Sequence, residues 1–184
     1  MMRVGIGYDV HRFDGPPPRP ARHDRRGGRR ARATGRGKRP LKLGGVTVPS
    51  SRGLSGHSDA DVLLHAVADA LFGALGAPDL GEQFPSSDAR YRGADSRLFI
   101  ARASAAARRK GLTVGNVDAT VVADAPRLAG YKVRMARSIG RMLDIGASRV
   151  SVKAKTTEGF APARDGIAAH AVVLLLPLRK RATR

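Results

Sequence analysis

Ser58-Asp59-Ala60-Asp61-Val62-Leu63-Leu64-His65-Ala66-Val67-Ala68-Asp69-Ala70-Leu71-Phe72-Gly73-Ala74-Leu75 organises the rest of this 184-residue chain. Val62, Ala66 and Ala70 recur at every fourth position, with Leu63, Val67 and Leu71 beside them. That spacing predicts an amphipathic helix over Ser58 to Leu75, with Ser58 as its cap and Asp61 three residues on. Strand-like and helical runs alternate around it. Met2 to Tyr8 reads as a strand in which Gly5 and Gly7 permit close backbone approach. Leu41 to Val48 reads as a short hairpin around Gly44-Gly45. A second helix is predicted from about Asp95 to Lys110, stopping at Gly111, and a third from about Tyr131 to Leu143, followed by Gly146. Val117 to Ala123, Val150 to Lys155 and Ile167 to Leu176 read as further strands. The expectation is an α/β fold, a mixed β-sheet with three helices packed on one face.

The length suits one domain, taken as 1–178, followed by a basic tail at 179–184. Aromatic residues make up 4% and there is no Trp, so the core must be aliphatic. No run of 18 apolar residues occurs, and the first residues lack a signal-like apolar segment, so a cytoplasmic protein is expected. With no cysteine, a disulfide, a thiolate metal site and a Cys nucleophile are all excluded. Any metal must be held by His, Asp or Glu.

A net charge of +19 points to a nucleic-acid binder until it is divided along the chain. Pro16 to Pro40 carries ten Arg and Lys against one acid, Asp24, and the last six residues carry four more basic groups. Most of the charge is therefore peripheral. Gly15 to Lys38 holds Pro, Gly, Arg and Ala with almost nothing to bury, and is expected to be a disordered insertion. It would bind nucleic acid only non-specifically, since no aromatics are interleaved with its arginines.

Three clusters could carry chemistry. Asp9 and His11 end the first strand, and period two puts both side chains on one face, as a shared metal requires. His57, Asp61 and His65 recur at intervals of four, with Asp69 continuing the series. A solvated polar stripe would look the same, but two of only five histidines fall here. Asp9, His11 and a histidine from this stripe would make an oxygen-nitrogen-nitrogen site with an open position, as in catalytic zinc. Spacing leaves open which histidine joins. Lys155-Thr156-Thr157-Glu158, at the end of a strand, offers hydroxyls and a carboxylate to phosphate oxygens or a hard cation, although a polar turn would read alike.

Longer motifs occur in order along the chain: Gly7-Tyr8-Asp9-Val10-His11-Arg12-Phe13, Gly53 to Asp61, Gly93-Ala94-Asp95-Ser96, Asn116-Val117-Asp118, Ala125-Pro126, Lys153 to Glu158 and Gly166-Ile167-Ala168. Together they resemble the 2-C-methyl-D-erythritol 2,4-cyclodiphosphate synthase family of non-mevalonate isoprenoid biosynthesis. The resemblance covers nearly everything outside the basic insertion and the tail. It implies an intramolecular phosphoryl transfer in which a 2-phosphate attacks the β-phosphorus of a cytidine diphosphate ester and expels CMP.

The resemblance also implies roles. Asp9, His11 and His65 would hold zinc, and Glu158 a second divalent cation, Mg or Mn. His57 and Thr156 match positions credited with stabilising the transition state, and Asp61 a carboxylate that helps arrange the site. Asp9, Val10, His11, His57 and Ser58 match substrate-contacting positions. Asp79, Leu80, Gly81, Phe84, Pro85, Ser86, Ser87 and Asp88 would contact the methylerythritol side. Ala123, Asp124, Ala125, Pro126, Arg127, Leu128 and Ala129, with Lys155, Thr156, Thr157 and Glu158, would form the cytidine-diphosphate pocket. Phe160 and Arg164 complete the set. Family members are homotrimers with active sites between subunits, and the same is expected here. Three departures stand out: the long basic insertion after His11, Ser86 in place of an Asp, and a segment 159–165 about two residues shorter than the family pattern. A zinc hydrolase of phosphate esters is the rival enzyme reading.

Overall fold

The computed structural model describes residues 1–15, 39–159 and 165–178. The Arg-rich insertion beyond Gly15, Phe160, Arg164 and the tail at 179–184 lie outside the described residues.

Four strands form the main sheet: β1 (Arg3–Arg12), β4 (Leu112–Val122), β5 (Val150–Lys155) and β6 (Gly166–Pro177). A separate hairpin pairs β2 (Leu41–Leu43) with β3 (Val46–Val48). The main sheet runs in the order β1-β6-β4-β5. β6 is antiparallel to both of its neighbours and β4–β5 is parallel, so the sheet is mixed as expected. The helices are α1 (Val62–Ala74), the short α2 (Leu80–Gln83), α3 (Arg97–Arg109) and α4 (Lys132–Leu143). α1 lies across β1 and β6, α3 packs against α1 and β4, and α4 covers β5.

Alternation decides which sheet face is covered. Paired positions Gly7↔Ala171↔Ala119 and Gly5↔Val173↔Val117 face the helices, and all six residues are buried. The intervening residues point the other way. Val4 and Ile6 are 66% and 69% exposed there, and Tyr8, Val10 and Val172 accompany them.

The predicted strands were too short at two places, because pairing with β6 extends β1 through Arg12 and β4 back to Leu112. The first helix corrects its prediction more sharply. It begins at Val62 rather than Ser58, and its cap is Asp61, whose side chain accepts from the Leu64 N–H. Ala60, at φ +58°, is in the left-handed region, so helical geometry cannot extend back to Ser58. The same Asp61 carboxylate accepts from Gly44 N–H at 2.8 Å and Gly45 N–H at 2.6 Å. One buried carboxylate thus ties the β2–β3 turn to the start of α1.

Candidate active site

β1 and α1 build the site together. Residues 5, 7, 9 and 11 share the helix-facing side of β1. Gly5 and Gly7 lie beneath α1, where a Cβ would stand 2.0 Å from the Ala70 oxygen or 2.1 Å from the Ala66 oxygen. The absent side chains let the helix settle onto the strand. Where α1 begins, glycine gives way to Asp9 and His11, which meet His65 in the first turn of the helix.

The three donors converge. Asp9 Oδ2 is 2.8 Å from His65 Nδ1 and 2.9 Å from His11 Nε2, and the two ring nitrogens are 3.1 Å apart. His11 Nδ1 donates to the Ser55 carbonyl at 2.8 Å, which turns the Nε2 lone pair toward the cluster. Among the described residues, this is the group of His and acidic side chains placed to hold a metal ion. Burial works against an ionised Asp9, but hydrogen bonds and charges from His11 and His65 outweigh it and hold its carboxyl well below the usual range. Burial likewise opposes a charged His11, yet the Asp9 carboxylate raises its pKa. The cluster has a standing demand for positive charge, and two imidazoles with one carboxylate suit a divalent metal.

His57 is not a fourth member. Because α1 starts at Val62, the interval-of-four series is not one helical stripe, and His57 lies in the preceding loop. Asp61 is likewise withdrawn from the site, fully buried with backbone N–H groups. The tertiary structure therefore chooses His65.

The cluster opens into a cavity of about 520 Å³. Asp9, His11, His57, Ser58, Asp79, Leu80, Gly81, Phe84 and Ser86 line it, as do Tyr8, Asp69, Tyr91 and Phe99. Three of the chain's eight Phe and Tyr rings, Phe84, Tyr91 and Phe99, stand on this wall, a concentration that spacing did not reveal. Phe84 packs against Phe99 and Tyr91 with ring centroids 4.7 and 5.2 Å away. Asp79 caps α2 by accepting from Glu82 N–H at 2.8 Å. Burial raises the pKa of Asp69, whose Oδ1 accepts from Leu80 N–H. Of the other expected contacts on this side, Pro85 and Ser87 are exposed beside the cavity, and Asp88 caps the turn at Ala89–Tyr91 and pairs with Arg90. Val10 points to the helix-free face.

The remaining expected residues gather elsewhere. Thr157 donates its N–H and its hydroxyl to Asp124, and Ala123 N–H donates to the Lys155 carbonyl. This joins the Ala123–Ala129 segment, with its cis Ala125-Pro126 bond, to Lys155–Glu158. Ala123 and Leu128 are buried, whereas Asp124, Ala125, Arg127, Ala129, Lys155, Thr156 and Glu158 are exposed. The Thr156 hydroxyl donates to Glu158 Oε1. Sheet order puts this second cluster at the same end of the sheet as Asp9 and His11 but at the opposite edge, β5 rather than β1. Among the described residues, none of this second cluster lines the cavity at Asp9, His11 and His65.

Comparison with known proteins bears on this arrangement. The model of the YgbB family matches residues 2–176. The 2-C-methyl-D-erythritol 2,4-cyclodiphosphate synthase of Syntrophobacter fumaroxidans is 48% identical over 177 residues, covering 95% of this chain and 97% of its own. A CDP-bound structure of a 2C-methyl-D-erythritol-2,4-cyclodiphosphate synthase is 31% identical, with a TM-score of 0.77, and spans 95% of this chain and all of its own. A CDP complex of Plasmodium falciparum IspF is 29% identical, with a TM-score of 0.74, and spans 97% of each chain. With a family model matched almost end to end and relatives near half identical along their whole length, the chain belongs to the YgbB family of 2-C-methyl-D-erythritol 2,4-cyclodiphosphate synthases.

Proposed function

We propose that the chain converts 4-diphosphocytidyl-2-C-methyl-D-erythritol 2-phosphate into 2-C-methyl-D-erythritol 2,4-cyclodiphosphate and CMP in non-mevalonate isoprenoid biosynthesis, in the cytoplasm. The observation that carries this reading is the convergence of Asp9, His11 and His65 on one point at the wall of a cavity large enough for the substrate's sugar-like part. An oxygen of the 2-phosphate forms a bond to the β-phosphorus. The bond from that phosphorus to the α–β bridging oxygen breaks, and its electron pair leaves with CMP. Ring closure is a problem of positioning and charge neutralisation, and no side-chain nucleophile is needed.

Each residue then has a task. Asp9, His11 and His65 would hold zinc or another divalent transition metal. Glu158 would hold Mg or Mn. Bound there, such ions polarise phosphoryl oxygens and neutralise developing charge. His57 and Thr156 stabilise the transition state. Asp79, Leu80, Gly81, Phe84, Pro85, Ser86, Ser87 and Asp88 hold the methylerythritol part, with Ser86 giving a neutral contact. Ala123–Ala129 and Lys155–Glu158 hold the cytidine diphosphate, and Phe160 and Arg164 add to it.

Two features of the sheet support a homotrimer with shared sites. Its metal cluster and its Thr156–Glu158 cluster lie at opposite edges, so a complete site needs the β5 edge of one subunit beside the β1 edge of another. The helix-free face carries exposed Val4, Ile6, Val10 and Val172, an apolar surface suited to burial between subunits. The decisive experiment incubates the protein with the authentic substrate, with and without chelator, and follows products by phosphorus NMR. CMP and the cyclic diphosphate should form together only when divalent metal is present. CMP with a linear, water-derived product would identify a hydrolase instead.

A further inference from the structure

Asp59 and Ser96 have no role in the scheme above, yet they stand directly behind the metal cluster. Ser96, at the head of α3, is fully buried, and its Oγ lies 2.9 Å from His65 Nε2. The same hydroxyl donates to Asp59 Oδ1 at 2.5 Å. Asp59 also accepts from Ser96 N–H at 3.2 Å and from Lys42 Nζ at 3.0 Å. Ser58 Oγ is the other neighbour of Nε2, at 3.0 Å, and accepts from Ala60 N–H.

The directions of these bonds can be worked out. The Asp59 carboxylate, paired with Lys42 Nζ at 3.0 Å, only accepts. The Ser96 proton therefore goes to Asp59, and Ser96 Oγ faces His65 as an acceptor. His65 Nε2 must then carry the N–H. Its lone pair is left on Nδ1, the atom 2.8 Å from Asp9 and 3.1 Å from His11. With the opposite tautomer, an N–H would point into the cluster and His65 could not serve as a ligand. Ser58 could donate or accept equally well, so it cannot make this choice alone.

We propose that Asp59 and Ser96 are positioning residues: they form a carboxylate–serine–histidine chain that commits His65 Nε2 to donate and holds Nδ1 ready for the metal. The inference rests on the metal-site reading of Asp9, His11 and His65. It also gives a purpose to Ser96 within the Gly93-Ala94-Asp95-Ser96 motif and to Lys42 on β2, the cation that holds Asp59 in place.

The test measures zinc affinity of the full chain by chelator competition for wild type, Ser96→Ala, Asp59→Asn, the double variant and His65→Ala. Each single variant should bind zinc about 10- to 100-fold more weakly than wild type. The double variant should be no weaker than the worse single one, because both act through one chain, whereas independent effects would multiply. In zinc-loaded, ¹⁵N-histidine-labelled protein, the His65 Nε2–H should be protected from solvent exchange in wild type and lose that protection in both variants. A merely structural role would not move that resonance alone. Asp59→Asn keeps the side-chain shape and serves if Ser96→Ala fails to fold. If wild type binds zinc, His65→Ala does not, and both variants stay within about twofold of wild type, the positioning chain is refuted alone. If His65→Ala binds zinc as wild type does, the metal-site reading itself falls.

Discussion

Gly7 of β1 passes beneath Ala66 of α1 so closely that a Cβ on Gly7 would stand 2.1 Å from the Ala66 carbonyl oxygen. This contact sets the height of α1 over the sheet, and through it the distance from His65 to Asp9. Gly7→Ala must push the helix away, because the obstacle is backbone and cannot rotate aside. We expect a loss of about 3 kcal/mol or more in urea unfolding, with weakened zinc binding. Gly130→Ala, where nothing lies within 4 Å of the added atom, is the control and should change stability by no more than about 0.5 kcal/mol. Near-wild-type stability for Gly7→Ala would show that the strand–helix contact is looser than described.

His65→Ala removes a donor from the convergent set without touching β1. Bound zinc should be lost and turnover should fall by more than about 100-fold, while the far-ultraviolet dichroism and oligomeric state stay as in wild type. Full zinc occupancy, measured by atomic absorption, would assign the metal to other residues.

Asp69 lies on the cavity wall, and burial raises its pKa, with the nearby Asp79 and Asp9 charges adding to the shift. A carboxylate whose folded pKa exceeds its unfolded value binds its proton more tightly when folded. Its contribution to stability is therefore most favourable below pH 3.8 and declines as pH rises through the folded value. Asp69→Asn should stabilise the metal-free protein slightly at pH 7, and that gain should vanish near pH 3 in urea titrations at the two pH values. A gain that persists unchanged at low pH would mean that its charge is not the cause.

Glu158 stands at the β5 edge, away from the Asp9, His11 and His65 cluster, and accepts the Thr156 hydroxyl. Glu158→Gln keeps its shape and removes the charge that attracts a hard cation. Zinc content should not change, whereas activity should fall about 10-fold or more and require higher Mg or Mn for half-saturation. An unaltered metal-activation curve would take Glu158 out of the second cation site.

Local pattern made much of this protein legible. The aliphatic repeat from Val62 to Leu71 marks α1, the Gly44-Gly45 pair marks its hairpin, and β5 runs over the predicted residues. Asp9 and His11 were readable as a pair because a strand repeats every two residues whatever surrounds it. The histidine partner was not readable. His57 and His65 are equivalent in a continuous helix, and only the left-handed Ala60, with Asp61 drawn onto the Gly44 and Gly45 N–H groups, starts the helix late enough to separate them. Asp59 and Ser96 were hidden for the same reason, since 37 residues separate two side chains whose bond exists only after α3 has docked. The periodicity and composition of the chain determine which segments become strands and helices, because those preferences act over a few residues. Tertiary packing alone decides which polar atoms meet at the site and which sheet edges carry the two clusters, because such meetings depend on how distant segments are stacked.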